Sequence, residues 1–257
     1  MNQYSYQKND SLLKACLVLP TYKESENIES IIKGIFSTQS FIKTHQLYVI
    51  VVDDNSPDNT QKIVKQQMKE FPNLHLITGN KVGLGDAYKR GISFAIKKFN
   101  PDLLLQMDAD GQHDAKLIPE FINLANNGFN LVIGSRFVPG GKTPDFSIFR
   151  KFLSITGNFL IRHLGKAANV KDCTSGFRCI KADLVLKCDL ENFSTRGYSF
   201  QSTLVCELIR NGAKPIEVPI IFKKRMSGQS KLTLRDQIEF LVNITKITYR
   251  YSEDFIK

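Results

Sequence analysis

Two acidic residues one position apart, Asp108 and Asp110, carry the strongest chemical signal in this chain. In extended backbone, residues two apart point the same way, so both carboxylates can face one cation. Oxygen ligands of that kind suit Mg²⁺ or Mn²⁺, ions that usually also hold substrate phosphates. Gln112 continues the period with an amide oxygen, which makes Asp108, Asp110 and Gln112 the candidate metal set. The same stretch also reads as a strand end and polar turn, with Asp114 capping the next helix. A second acidic pair, Asp53 and Asp54, directly follows an apolar run, where carboxylates are costly unless something pairs with them. A nucleoside's ribose hydroxyls or base edge would serve. Structurally, Ser56 or Asp58 can cap the next helix with Pro57 in its first turn. Asn55 and Asn59 tolerate the left-handed backbone of a tight loop. On the cationic side stand Arg136, Arg150, Arg225 and Lys231. Arginine suits bidentate phosphate capture and lysine point-charge neutralisation. Gly228 and Ser230 give the Arg225-to-Lys231 segment the character of a loop that closes over bound phosphates. A carboxylate–metal–diphosphate–arginine arrangement accounts for both sets together.

Such residues must be delivered by secondary structure. The first half alternates β-rich runs with helical patterns, the signature of a mostly parallel sheet. Strands are expected at 15–19, 47–52, 74–78, 103–107 and 131–134. Helices are expected at 26–36, 60–70, 85–97 and 115–126. Continuous apolar strands imply helices on both faces of the sheet. Ligands of open α/β sheets bind at the carboxyl ends of the strands, where both acidic pairs and Arg136 fall. Beyond residue 138 a Pro/Gly-rich loop leads into a basic, apolar helix at 146–164. A strand at 174–180, a helix at 198–210, a strand at 215–222 and a last helix reaching Tyr251 follow. No linker separates two units, so one domain is expected over 1–257, with a first half at about 14–137 and a second at about 138–257.

Composition bounds the function classes. The 257 residues are 42% hydrophobic and 23% charged, which excludes a disordered chain. The five cysteines lack C-x-x-C spacing, which argues against a disulfide framework and a zinc site and for reduced thiols. Met1 precedes a polar segment, so no secretory signal is expected. No apolar run approaches the roughly 18 residues of a membrane span. A net charge of +10 points to an anionic partner: nucleic acid, a phosphorylated substrate or an anionic membrane surface. Gly83-Leu84-Gly85 lacks the third glycine of a dinucleotide fingerprint, and no P-loop sequence is present.

In combination these motifs are specific. Leu17-Val18-Leu19-Pro20-Thr21-Tyr22-Lys23-Glu24 resembles the opening of family-2 glycosyltransferases. Asp53-Asp54-Asn55-Ser56-Pro57-Asp58, Gly83-Leu84-Gly85-Asp86-Ala87-Tyr88 and Asp108-Ala109-Asp110-Gly111-Gln112-His113 narrow the likeness. With Gly134-Ser135-Arg136, Thr174-Ser175-Gly176-Phe177-Arg178 and Ser227-Gly228-Gln229-Ser230-Lys231, the chain resembles the dolichyl/polyprenyl-phosphate mannosyltransferase group. That resemblance implies a GT-A fold and inverting transfer of one sugar, typically mannose from GDP-mannose, to a polyprenyl phosphate. It implies donor contacts at Pro20, Tyr22, Glu24, Val52, Asp54, Asp108, Ala109, Asp110, Arg136, Arg225 and Lys231. It implies a Mg²⁺ or Mn²⁺ ion at Asp108, Asp110 and Gln112, with Asp108, Asp110 and Arg136 as the catalytic set. Arg136, Arg150 and Ser154 fall where the acceptor phosphate is held. Asn55, Asn59, Asp86 and Met226-Ser227 depart from the group's usual residues, and Asp86 bears on donor preference. A phosphate monoester is largely ionised near neutral pH, its second pKa being about 6, so no general base is expected. His113 reads as a turn residue or a support behind the acidic pair.

A peripheral enzyme at the cytoplasmic face of a membrane is the expected setting. Phe146, Ile148, Phe149, Phe152, Leu153, Phe159, Leu160 and Ile161 accompany Arg150, Lys151, Arg162, His163 and Lys166, the mix of an interfacial helix. Two apolar faces on the last helix fit a membrane contact or a seam with a second copy, and an anchoring subunit is a further partner to expect. Competing readings are a UDP-sugar-using polyprenyl-phosphate glycosyltransferase and a non-catalytic basic protein on membranes. A sugar-nucleotide pyrophosphorylase needs a Gly/Arg-rich loop after its first strand, and a processive synthase needs tryptophan, which this chain lacks. Nucleic acid is not an expected partner, because aromatic platforms do not interleave with the charge.

Overall fold

The computed structural model describes residues 12–191, 193, 195, 197, 199–223 and 242. Seven strands form one sheet: β1 (Leu13–Thr21), β2 (His45–Asp53), β3 (Leu74–Thr78), β4 (Leu103–Gln106), β5 (Leu131–Ser135), β6 (Arg178–Lys181) and β7 (Pro215–Pro219). Their spatial order is β3-β2-β1-β4-β6-β5-β7, and only β6 runs antiparallel to its neighbours. The helices are α1 (Ile28–Ser37), α2 (Thr60–Gln67), α3 (Leu84–Phe99), α4 (Ile118–Asn126), α5 (Ile148–Leu164), α6 (Ala182–Leu186) and α7 (Ser199–Arg210).

Alternation along β1 explains the layering. Ala15, Leu17 and Leu19 enter a core shared with α1, α2 and α4. Cys16 and Val18 enter a second core with α3, α6, α7 and Ile161 of α5. A sheet buried on both faces requires apolar residues at every position, which is why its strands read as continuous runs. Gly91 lets α3 lie directly on the sheet, since a Cβ there would sit 2.3 Å from Val18 Cγ1. All five cysteines are free and buried, and burial pushes their thiol pKa values up.

The α/β expectation holds, with local corrections. Residues 174–177 form a loop, and the strand occupies Arg178–Lys181. The stretch 115–126 divides into a single 3₁₀ turn, Ala115–Leu117, and α4, which carries Pro119 in its first turn, where no intrahelical N–H is needed. The Asp114 side chain does accept from Lys116 N. α2 begins at Thr60, beyond Pro57; Asp58 accepts from Thr60 N and Oγ1, whereas Ser56 turns back to Asp53. The last expected helix and the Arg225–Lys231 loop lie outside the described residues.

Candidate active site

β1, β2, β4 and β5 run parallel, so residues 22–24, 53–58, 107–113 and 136 all emerge at one edge. β6 runs the opposite way and therefore starts there, bringing 172–177 to the same edge.

Asp53 organises the first part of this edge. It is fully buried and accepts from Thr21 Oγ1 (2.9 Å), Ser56 N (2.8 Å), Ser56 Oγ (2.6 Å) and Gln61 Nε2 (2.7 Å). The loops after β1 and β2 are joined further by Lys23 N to Ser56 Oγ, Glu24 N to Thr60 Oγ1 and Ser25 N to Asp58 Oδ2. Lys23 and Asn55 adopt left-handed backbone (φ 56° and 51°), whereas Asn59 does not. The pairing demand of the two carboxylates is thus met within the chain. Asp54 pairs with Arg90 of α3, whose Nε also lies 3.5 Å from Asp86 Oδ2. Burial raises the Asp54 pKa, and the Arg90 guanidinium opposes that shift. Glu24 accepts from Asn27 Nδ2 at 3.0 Å, and the Tyr22 ring lies 3.8 Å from Lys81 Nζ. The Val52 side chain is sealed in the core, so only its backbone faces the edge, beside the half-buried Pro20.

The metal candidates gather after β4. Tyr88, fully buried in α3, donates its hydroxyl to Asp108 Oδ1 at 3.1 Å. A Cβ on Gly176 would sit 3.0 Å from Asp108 Oδ2, so the glycine lets this carboxylate lie close against the backbone. Asp108 N donates to His113 Nδ1 at 3.2 Å, while the ring stacks on Phe177. Burial lowers the His113 pKa to about 4, so the imidazole is a neutral support at physiological pH. Asp110 accepts from Gln112 N at 3.1 Å, and Gln112 Nε2 donates to the Lys223 carbonyl at 2.7 Å. That bond occupies the Gln112 amide nitrogen and leaves the amide oxygen as the acceptor. Two carboxylates and one amide oxygen are a hard-oxygen set that leaves positions for phosphates, and it suits Mg²⁺ or Mn²⁺. Among the described residues no three Asp, Glu, His or Cys side chains converge as a self-sufficient cage. Ala109 is buried between the two acids.

Arg136 has a partner that the sequence did not reveal. Its Nε and Nη2 grip both oxygens of Asp172 at 2.7 Å, and Nη2 also donates to Thr174 Oγ1. Burial works against the guanidinium's proton, yet Asp172 more than offsets it and the Arg136 pKa rises. Asp172 is fully buried; burial raises its pKa, and the charge and hydrogen bonds of Arg136 pull it below the usual carboxylate range. Asn158 of α5 secures the same loop, accepting from Cys173 N at 2.7 Å and donating to the Ser154 carbonyl. Arg178 is entirely buried, bonding Gln201 and the Cys173 carbonyl, and holds this loop against α7.

An aromatic chain runs from the acids to α5. His113 meets Phe222 edge-on, Phe222 meets Phe146, and Arg150 stacks on Phe146 at 3.9 Å. Arg136 lies over Phe222 at 5.3 Å. Between them opens a groove of about 470 Å³ lined by Arg136, Phe137, Lys142, Phe146, Ile148 and Lys151. Ile148, Phe152, Ile155 and Phe159 form an exposed stripe on α5, with Ile148 at 90% and Phe152 at 64% exposure. Ile161 and Leu160 turn into the core instead. No helix of the described residues is long and apolar enough to cross a membrane. Of the sequence candidates, the edge gathers Pro20, Tyr22, Glu24, Val52, Asp54, Asp108, Ala109, Asp110, Gln112 and Arg136. Arg150 and Ser154 stand on α5, whose Asn158 ties to the same loop, and Arg225 and Lys231 lie outside the described residues. Arg90, Tyr88, Asp172 and Asn158 were missed. The (i, i+4) spacing of Asp86 and Arg90 was a readable signal; Asp172 lies 36 residues from its partner and gave none.

This sheet order and acidic edge define a GT-A glycosyltransferase. Glucosyl-3-phosphoglycerate synthase from Mycobacterium tuberculosis, solved with Mn²⁺ and UDP-glucose, superposes with a TM-score of 0.66 at 16% identity, covering 92% of this chain and 79% of that one. Residues 16–188 match Glycosyl transferase family 2, and the chain belongs to that family. Undecaprenyl-phosphate mannosyltransferase of Micrococcus luteus is 33% identical over 91% of this chain and 93% of its own length. Polyprenol monophosphomannose synthase of Mycolicibacterium smegmatis is 33% identical over 86% of this chain and 81% of its own length.

Proposed function

We propose that this glycosyltransferase moves one mannose, with inversion, from GDP-mannose to a polyprenyl phosphate at the cytoplasmic face of a membrane. The observation that carries the reading is the continuity between the Asp108/Asp110 edge and the exposed apolar stripe of α5 through Phe222, Phe146 and the cationic groove. A soluble acceptor has no use for such a stripe, whereas a lipid phosphate needs charge and apolar surface side by side. The names of both relatives support the same acceptor and sugar.

In this reading Pro20, Tyr22, Glu24, the Val52 backbone and Asp54 bind the nucleoside, with Ala109 beside the diphosphate. Asp108, Asp110 and Gln112 hold a divalent ion, as the Mn²⁺ in the structural relative supports. Such an ion, when bound, neutralises charge on the leaving diphosphate. Tyr88 and Gly176 position the Asp108 carboxylate and His113 holds its backbone N–H, so that little reorganisation is left for the reaction. Asp172 clamps Arg136 in one orientation, with Nη1 remaining for a phosphate. Arg225 and Lys231 add charge at the diphosphate, and Arg150 and Ser154 receive the acceptor phosphate. Its oxygen is already ionised and attacks without a general base. Residues from about 14 to 137 thus serve the donor, joined by Arg225 and Lys231, and the other residues from 138 onward serve the acceptor. Incubation with Mn²⁺, polyprenyl phosphate and a panel of nucleotide sugars tests the proposal. GDP-mannose should give glycolipid, and selective use of a UDP-sugar would reassign the donor.

A further inference from the structure

We propose that Arg90 is a specificity-determining residue that, together with Asp54, reads the Watson–Crick edge of a guanine. The inference rests on the glycosyltransferase reading above and names the side chains that select its donor. At the carboxyl ends of β2 and β3, the Arg90 guanidinium lies across Gly79, where a Cβ would come within 1.8 Å of Nη1. Its Nη2 bonds Asp54 Oδ1, Nη1 reaches the Asn80 carbonyl at 3.4 Å, and Nε lies 3.5 Å from Asp86. The Nε contact is near enough for charge pairing yet makes no hydrogen bond. Two carboxylates and a glycine backbone therefore hold one planar fork in place. The Asp54 side chain is only 9% exposed, and its Oδ2 makes no hydrogen bond among the described residues. That second oxygen reaches solvent, where a ligand N–H can take the place of water.

The pair presents two acceptor oxygens beside guanidinium donors. Guanine carries the complementary sequence: N1–H and the N2 amino group as donors, then O6 as acceptor. Asp54 takes the two N–H groups, and Arg90 donates to O6. Hypoxanthine keeps O6 and N1–H but loses the amino group. Adenine sets an amino donor against the guanidinium and a bare ring nitrogen against the carboxylate, so it is mismatched twice. Rejection of adenine thus follows from repulsion as well as from lost bonds. Asp86, on the far side of the guanidinium, buttresses the fork.

Calorimetric titration of the whole chain with GDP, IDP and ADP in the presence of Mn²⁺ tests this. Affinity should fall in the order GDP, IDP, ADP. Arg90→Met retains the stem and removes the donors. It should weaken GDP and IDP about tenfold while leaving ADP within about twofold, since a base-edge contact discriminates at roughly that level. Asp86→Asn, at a partly exposed site, should move GDP affinity in the same direction by less. Equal weakening of all three nucleotides, or an unchanged GDP-to-ADP ratio in both variants, would overturn the assignment. Tight binding without Arg90-dependent selectivity leaves the glycosyltransferase reading standing; failure of the wild type to bind any of the three overturns both.

Discussion

Removing the Asp172 carboxylate isolates the consequence of burying Arg136. The Arg136 side chain is 10% exposed, that of Asp172 is fully buried, and the two share a bidentate contact at 2.7 Å. Asp172→Ala leaves the guanidinium without its bidentate counter-charge in an environment that solvates it poorly. Breaking one side of a buried pair typically costs about 3–5 kcal/mol. For a chain of this size each kcal/mol shifts the melting temperature by about 2–4 °C, so a fall on the order of 10 °C is expected. The Asp172 pKa is depressed by folding. Its stabilisation is therefore fully present above the unfolded carboxylate value of about 4 and is lost as pH falls through the lower native value. Melting curves of wild type and variant should be well separated at pH 7 and draw together as pH falls below about 4. Replacing both partners, as Arg136→Met with Asp172→Leu, should recover much of the stability but no turnover. A variant within about 2 °C of wild type at pH 7, or a separation that widens on acidification, would refute the reasoning.

Asp110→Ala should abolish transfer while leaving the melting curve within a few degrees, and EDTA should inactivate the wild type reversibly; full activity in EDTA removes the metal from the mechanism. Ile148→Glu with Phe152→Glu should prevent co-sedimentation with anionic vesicles, and wild-type binding should weaken with salt, because charge attraction is screened within about 8 Å at physiological ionic strength; unaltered binding would place the membrane contact elsewhere. Arg225→Ala and Lys231→Ala should each lower kcat on the order of 100-fold, with a smaller change in donor affinity, if the loop neutralises charge that grows on the leaving diphosphate. Gly91→Ala should destabilise the fold by about 1–3 kcal/mol through overpacking against Val18, read as a lower denaturant midpoint.

Local patterns were legible in the sequence, and pairings across the fold were not. The β1, β2 and β4 runs announced themselves because a sheet covered on both faces demands continuous apolar residues. The edge position of Asp108 and Asp110 followed from the carboxyl-end rule. Asp53 read as a ligand-binding carboxylate because its partners Thr21 and Gln61 sit on other elements, and only the folded chain shows it satisfied from within. Tyr88 entered the sequence reading only as the last residue of the Gly83–Tyr88 motif, yet its hydroxyl reaches a carboxylate 20 residues away. On α5 the apolar residues were evident, but which would face outward depended on where Asn158 and Ile161 anchor the helix.

The product of the reaction decides whether this chain mannosylates a lipid phosphate. Purified protein should be given GDP-mannose, Mn²⁺ and a polyprenyl phosphate in vesicles, with 3-phosphoglycerate present as a competing soluble acceptor, and both phases analysed by mass spectrometry. The account predicts a lipid heavier by one hexose residue, one GDP released per lipid converted, and no glycosylated phosphoglycerate. Mannose found on phosphoglycerate or water, with the lipid unchanged, would contradict it.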